Sequence, residues 1–175
     1  MVSVNNSLNP KVNLPYPKID VNRKDPYFAY KLFELYAGNV SELTDINQYS
    51  FQSIYLNDYV DLSNILRTIS ITEMEHFRIL GNLIKALGLN PYFISYDKNN
   101  NPISWNSDYV DYTLNYRNML VSNIRKENKA IENYNHILTE TNDENIKNII
   151  ERIIMDEKKH VEIFSKLLVQ YDSEQ

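Results

Sequence analysis

The chain has 175 residues, 18 Lys and Arg against 23 Asp and Glu, a formal charge of −5 and no cysteine. The acidic balance argues against a nucleic-acid partner, and the missing cysteine excludes disulfides, iron–sulfur clusters and thiol chemistry. The length suits one domain, and with no charged-then-apolar leader and no apolar run near about 18 residues, a cytoplasmic protein without membrane contact is expected.

Residues 1–25 carry Pro10, Pro15 and Pro17 without helical periodicity. Proline removes a backbone donor and biases its predecessor to extended geometry, so this stretch reads as an extended N-terminal arm. Residues 26–175 read as one helical domain. Asp25 as N-cap before Pro26 predicts a first helix running to about Leu56, with Leu32, Leu35, Tyr36, Leu43, Ile46, Tyr49 and Ile54 inward. A second helix follows from about Tyr59 to Leu87, stopped by Gly88. Residues 88–111, with Pro91, Asn99–Asn101, Pro102 and the only tryptophan, Trp105, are long for a connection. A third helix is predicted from about Val110 to Glu140, with Leu114 and Met119 among its inward residues. The fourth spans about Glu144 to Tyr171 on the repeated isoleucines from Ile146 to Ile154.

Two of the three histidines sit in a Glu-x-x-His step, Glu73–His76 and Glu157–His160, whereas His136 has Asn133 at that position. Residues three apart on a helix share a face, so each pair can grip one small object. Each step is preceded in the neighbouring helix by a glutamate with a tyrosine seven residues on, Glu42 with Tyr49 and Glu127 with Tyr134. The chain is therefore an internal duplication of a helical hairpin. Charges on apolar helical stripes need pairing or a metal. Four carboxylates converging in a core are tolerable when divalent cations offset them, and carboxylate with imidazole but no thiolate suits iron or manganese.

One Glu from each of two helices plus Glu-x-x-His from each of two others is the ligand set of ferritin-like di-metal proteins. Over residues 26–171 the chain resembles this superfamily, near rubrerythrins, bacterioferritins and manganese catalases. The resemblance implies an all-α, ferritin-like four-helix bundle with one long crossover between helices 2 and 3. It implies metal ligands Glu42, Glu73, His76, Glu127, Glu157 and His160, with Glu73 and Glu157 bridging. It also implies that Asp156 orients His76, while the mirrored Thr72 is a poorer acceptor for His160. Tyr49 and Tyr134 are placed either to hydrogen-bond ligand carboxylates across the site or to serve as ordinary core tyrosines. Leu14-Pro15-Tyr16-Pro17 resembles the N-terminal arm of manganese-catalase-like proteins.

One departure matters. The position of the additional rubrerythrin glutamate is Ala130, and its mirror is Asp45, read as solvated, with a shorter substitute for that glutamate as the alternative. Met74 follows Glu73 as in bacterioferritin, where a methionine binds haem, but a lone methionine does not carry haem here. The implied activity is that of a non-haem di-iron oxidoreductase of peroxidase or ferroxidase type. Its expected cofactors are two Fe ions, its oxidant H2O2 or O2, its reductant a separate electron-donor protein and its assembly a homodimer. The alternatives are a dimanganese catalase with two Mn ions, or a structural coat-type protein.

Overall fold

The computed structural model describes residues 9–174. Residues 1–8 of the expected arm, and Gln175, lie outside the described residues. The helices are α1 (Pro26–Ala37), α2 (Glu42–Tyr55), α3 (Val60–Leu87), α4 (Tyr116–Leu138) and α5 (Glu144–Ser173). Helix α2 pairs with α3 and α4 with α5, while α1 packs on α3. The fold is the expected all-α, ferritin-like bundle with its long crossover between the two hairpins.

The predicted first helix is in fact two. Gly38 leaves helical geometry (φ −85°, ψ −167°), and a Cβ there would lie 2.5 Å from the Glu34 carbonyl oxygen. Ser41 then restarts the chain as N-cap of α2, accepting from the Thr44 N–H at 3.3 Å, the ordinary capping role of serine. Glu42 therefore stands at the first residue of α2, not at mid-helix. The break also turns Ile54 outward, where it is exposed.

Helix α3 ends as expected, with Gly88 in the left-handed region (φ +108°), where an L side chain is strained. The crossover contains a hairpin not foreseen in the sequence. Strand β1 (Ile94–Tyr96) pairs antiparallel with β2 (Pro102–Ser104), Ile94 opposite Ser104. Asp97 closes its turn by accepting from the Asn99 and Asn101 amides, each at 2.8 Å. Trp105 pins the hairpin's exit to the bundle by donating to Thr44 Oγ1 at 2.9 Å. Helix α4 starts at Tyr116 instead of Val110, because Asn115 is the residue that caps it. Leu114 accordingly stays outside the helix, exposed.

Two apolar clusters fill the bundle. One gathers α1 with the C-terminal half of α3 and the facing parts of α4 and α5. The other gathers α2 with the N-terminal half of α3, the start of α4 and the end of α5. Glu73, Glu127 and Glu157 lie in sequence between residues of these clusters, so the buried acids occupy the polar layer separating them.

Candidate metal centre

All six predicted ligands are buried, none more than 4% exposed. Four elements deliver them: Glu42 from α2, Glu73 and His76 from α3, Glu127 from α4, and Glu157 and His160 from α5. They form two overlapping groups, Glu42–Glu73–His76–Glu157 and Glu73–Glu127–Glu157–His160, each with donor atoms within 4.8 Å of one another.

Glu73 and Glu157 each present one oxygen to each half. Glu73 Oε2 is 2.9 Å from His76 Nδ1, and its Oε1 is 2.8 Å from His160 Nδ1. Glu157 Oε1 lies 3.0 Å from His76 Nδ1 and Oε2 3.5 Å from His160 Nδ1. Glu42 and Glu127 each serve one half, their Oε2 atoms 3.5 and 3.6 Å from His76 and His160 respectively. The remaining Oε1 atoms are held crosswise: Tyr134 of α4 donates to Glu42, and Tyr49 of α2 donates to Glu127. Each terminal glutamate thus has one oxygen fixed by a phenol and the other turned to an imidazole.

Glu73 Oε1, Glu157 Oε1 and His160 Nδ1 are buried without a hydrogen-bond partner among the described residues, despite their proximity. Orphaned lone pairs facing one another are what a cation would satisfy, since an unpaired buried polar group is costly. Four carboxylates and two neutral imidazoles also balance two divalent cations in charge. The donor set fits a pair of metal ions.

Among protein groups alone, protons do that balancing. Burial drives Glu42 and Glu127 well above the usual carboxylate range. Burial opposes charge on His76 and His160, but the surrounding carboxylates outweigh it and hold both imidazoles well above their ordinary range. Burial likewise opposes charge on Glu73 and Glu157, yet the two histidines facing them bring both below theirs.

Asp156 accepts from His76 Nε2 at 3.2 Å, which directs the Nδ1 lone pair inward. Three contacts around this carboxylate were missed in the sequence. The Val12 N–H donates to Asp156 Oδ1 at 2.7 Å, the Tyr16 hydroxyl to Oδ2 at 2.6 Å, and the Arg152 guanidinium pairs with Oδ1 at 2.8 Å. Arg152 in turn donates to the Val12 and Leu14 carbonyls. The arm is therefore bound at the back of His76. A legible sign was Arg152, a cation within an isoleucine run, four residues before an Asp. Thr72, the mirrored position, donates instead to the Thr68 carbonyl, and His160 Nε2 has no hydrogen-bond partner among the described residues.

Asp45 is not solvated: it is 4% exposed, and its Oδ1 is unpartnered. Burial pushes its carboxyl well above the usual range against the opposing charge of Lys126. Gln48, Gln52 and Asn123 form a closed set of side-chain amides alongside, with the Gln48 and Gln52 amides both donating to Asn123 Oδ1. His136 lies on the surface, away from the site.

The rubrerythrin family profile matches residues 35–168. A probable manganese catalase of Clostridium acetobutylicum is 24% identical over 90% of this chain and 77% of its own. The crystal structure of a manganese catalase from Anabaena superposes with a TM-score of 0.81 at 24% identity, covering 92% of this chain and 80% of that one. A bacterioferritin from Desulfovibrio desulfuricans, with a diiron site, gives 0.70 at 24% identity over 85% and 84%. The matched span holds the whole repeated Glu and Glu-x-x-His pattern, and the chain belongs to the rubrerythrin family, among the ferritin-like di-metal oxidoreductases.

Proposed function

We propose that the protein is a non-haem di-iron oxidoreductase that reduces hydrogen peroxide or O2, of peroxidase or ferroxidase type. The observation that supports this most is the buried set of six oxygen and nitrogen donors, in which Glu73 and Glu157 each span both halves. A pair of metal ions bound there would supply two electrons to a small oxidant. In this reading Glu42, Glu73, His76 and Glu157 hold one ion, and Glu73, Glu127, Glu157 and His160 the other.

The chain's own residues would do four things. Asp156 fixes the tautomer and orientation of His76. Tyr134 and Tyr49 hold Glu42 and Glu127 in place and lie nearest to give or take a proton at those carboxylates. The apolar clusters above and below exclude bulk water, which strengthens each electrostatic contact inside. Ala130 offers no side-chain oxygen, so the redox-linked exchange of ligands expected of an additional glutamate is missing at that position. With no cysteine-based iron site in the chain, electrons would come from a separate donor protein. No helix among the described residues is long and apolar enough to cross a membrane. A cytoplasmic homodimer fits the rest, with Ile71 and Met74 exposed on α3.

A second reading, a dimanganese catalase needing no reductant, is favoured by the likeness to the Anabaena enzyme over 92% of the chain. Metal analysis of protein purified without added metal, followed by peroxide challenge without reductant, separates the two. Two irons per chain and peroxide loss no greater than the metal present support the first. Two manganese ions and sustained O2 release move the assignment to the second.

A further inference from the structure

Sequence symmetry suggests two equal metal positions, but what lies behind the two histidines differs. Behind His76 stands a closed set of contacts: Nε2 meets Asp156, and every oxygen of Asp156 is itself held. Val12 N–H and the Arg152 guanidinium take Oδ1, while the Tyr16 hydroxyl shares Oδ2 with His76. The Tyr16 ring also lies over the Arg152 guanidinium at 4.4 Å and meets the His76 ring edge-on at 5.9 Å. Behind His160 the imidazole Nε2 is fully buried with no hydrogen-bond partner among the described residues, and the nearest sequence counterpart of Asp156, Thr72, has committed its proton to Thr68.

An outer acceptor fixes a ligating imidazole and raises its basicity, and its loss costs about 10- to 100-fold in metal affinity. We infer that the two positions are unequal by that mechanism. The Glu42–Glu73–His76–Glu157 position fills first and tightly, the Glu73–Glu127–Glu157–His160 position is the exchangeable one, and the N-terminal arm is a working part of the first. This inference rests on the two-metal reading above. It goes beyond it in assigning an order of loading and a positioning role to Tyr16, whose hydroxyl acts on His76 through Asp156. The chemical consequence is a chain that, at limiting metal, holds one ion and waits for a second.

The experiment is stepwise addition of Mn(II) to metal-free, full-length protein, with chelator competition for affinity and electron paramagnetic resonance to tell isolated from coupled ions. At one equivalent the expected spectrum is that of isolated Mn(II), with the coupled signal growing only on the second equivalent, and the two affinities about 10- to 100-fold apart. His160→Gln should keep the tight equivalent and His76→Gln should lose it. Tyr16→Phe, which keeps the ring and removes only the hydroxyl donor, should weaken the first equivalent. Thr72→Asp, which supplies the missing acceptor, should tighten the second. A coupled signal from the first addition, or equal affinities unmoved by both Tyr16→Phe and Thr72→Asp, would overturn the inference while leaving the two-metal site intact. A stoichiometry that never reaches two would overturn the two-metal reading and this inference with it.

Discussion

Replacing Asp156 by alanine removes the one carboxylate that joins the arm, α5 and the back of His76. Arg152 is left 4% exposed with its ion-pair partner gone. Removing one member of a buried ion pair costs about 3–5 kcal/mol, because the remaining charge stays buried and uncompensated. The Val12 and Leu14 carbonyls still accept from Arg152 at 2.8–3.0 Å, which places the loss toward the lower part of that range. For a chain of this size each kcal/mol moves Tm by about 2–4 °C, so a loss of about 3–4 kcal/mol in Asp156→Ala should lower it by roughly 6–16 °C. Asp156→Asn keeps an acceptor oxygen and should lose about 1–3 kcal/mol.

The Asp156 carboxyl is held at about 2: burial alone would raise it, but hydrogen bonds from His76, Tyr16, Val12 and Arg152 outweigh that. A depressed carboxyl contributes stability above its ordinary pKa and loses it as pH falls toward the folded value. Wild type and Asp156→Ala should therefore converge as pH approaches about 2 and differ fully near neutrality. Calorimetry across pH, paired with tryptic cleavage at Lys11 and Lys18 in the arm, reads both effects. A Tm change below about 2 °C with arm cleavage unaltered would refute the linkage between arm and site.

Three further outcomes are expected. Metal uptake should release protons and weaken as pH falls, because His76 and His160 sit above their ordinary range, and Glu42 and Glu127 above theirs, until a cation displaces the protons; chelator competition at two pH values checks this, and a pH-independent affinity contradicts it. Tyr49→Phe and Tyr134→Phe each free one ligand oxygen of Glu127 or Glu42 and should reduce metal affinity by about 10-fold or more, seen in the same competition assay, with a helical far-UV spectrum unchanged. Gly88→Ala places an L side chain at φ +108° and should cost about 1–2 kcal/mol, measured as a Tm loss with metal content intact.

Much of the bundle was legible because its signals are local and repeated. The duplicated Glu and Glu-x-x-His steps identify the residues that meet at the centre, since helical spacing alone puts each pair on one face. The Asp25–Pro26 start and the Gly88 stop were equally plain. The break at Gly38–Ser41 carried its own signs, a glycine followed three residues later by a capping serine, but the apolar stripe ran through both halves and masked it. The short crossover hairpin could not be read from alternation over three-residue strands. Asp45 looked like a surface acid because nothing local announces that α4 delivers Lys126 nearby. The seat of the arm on Asp156 depends on partners 140 positions away in sequence, and contacts of that kind leave no periodic trace.

We infer that six residues from four helices hold two metal ions. Metal content per chain, measured on wild type and on the Glu42→Ala and Glu127→Ala variants purified alike, tests it most directly. Two ions are expected in the wild type and about one or fewer in each variant, as each terminal glutamate serves one position. Two ions retained by both variants would contradict it.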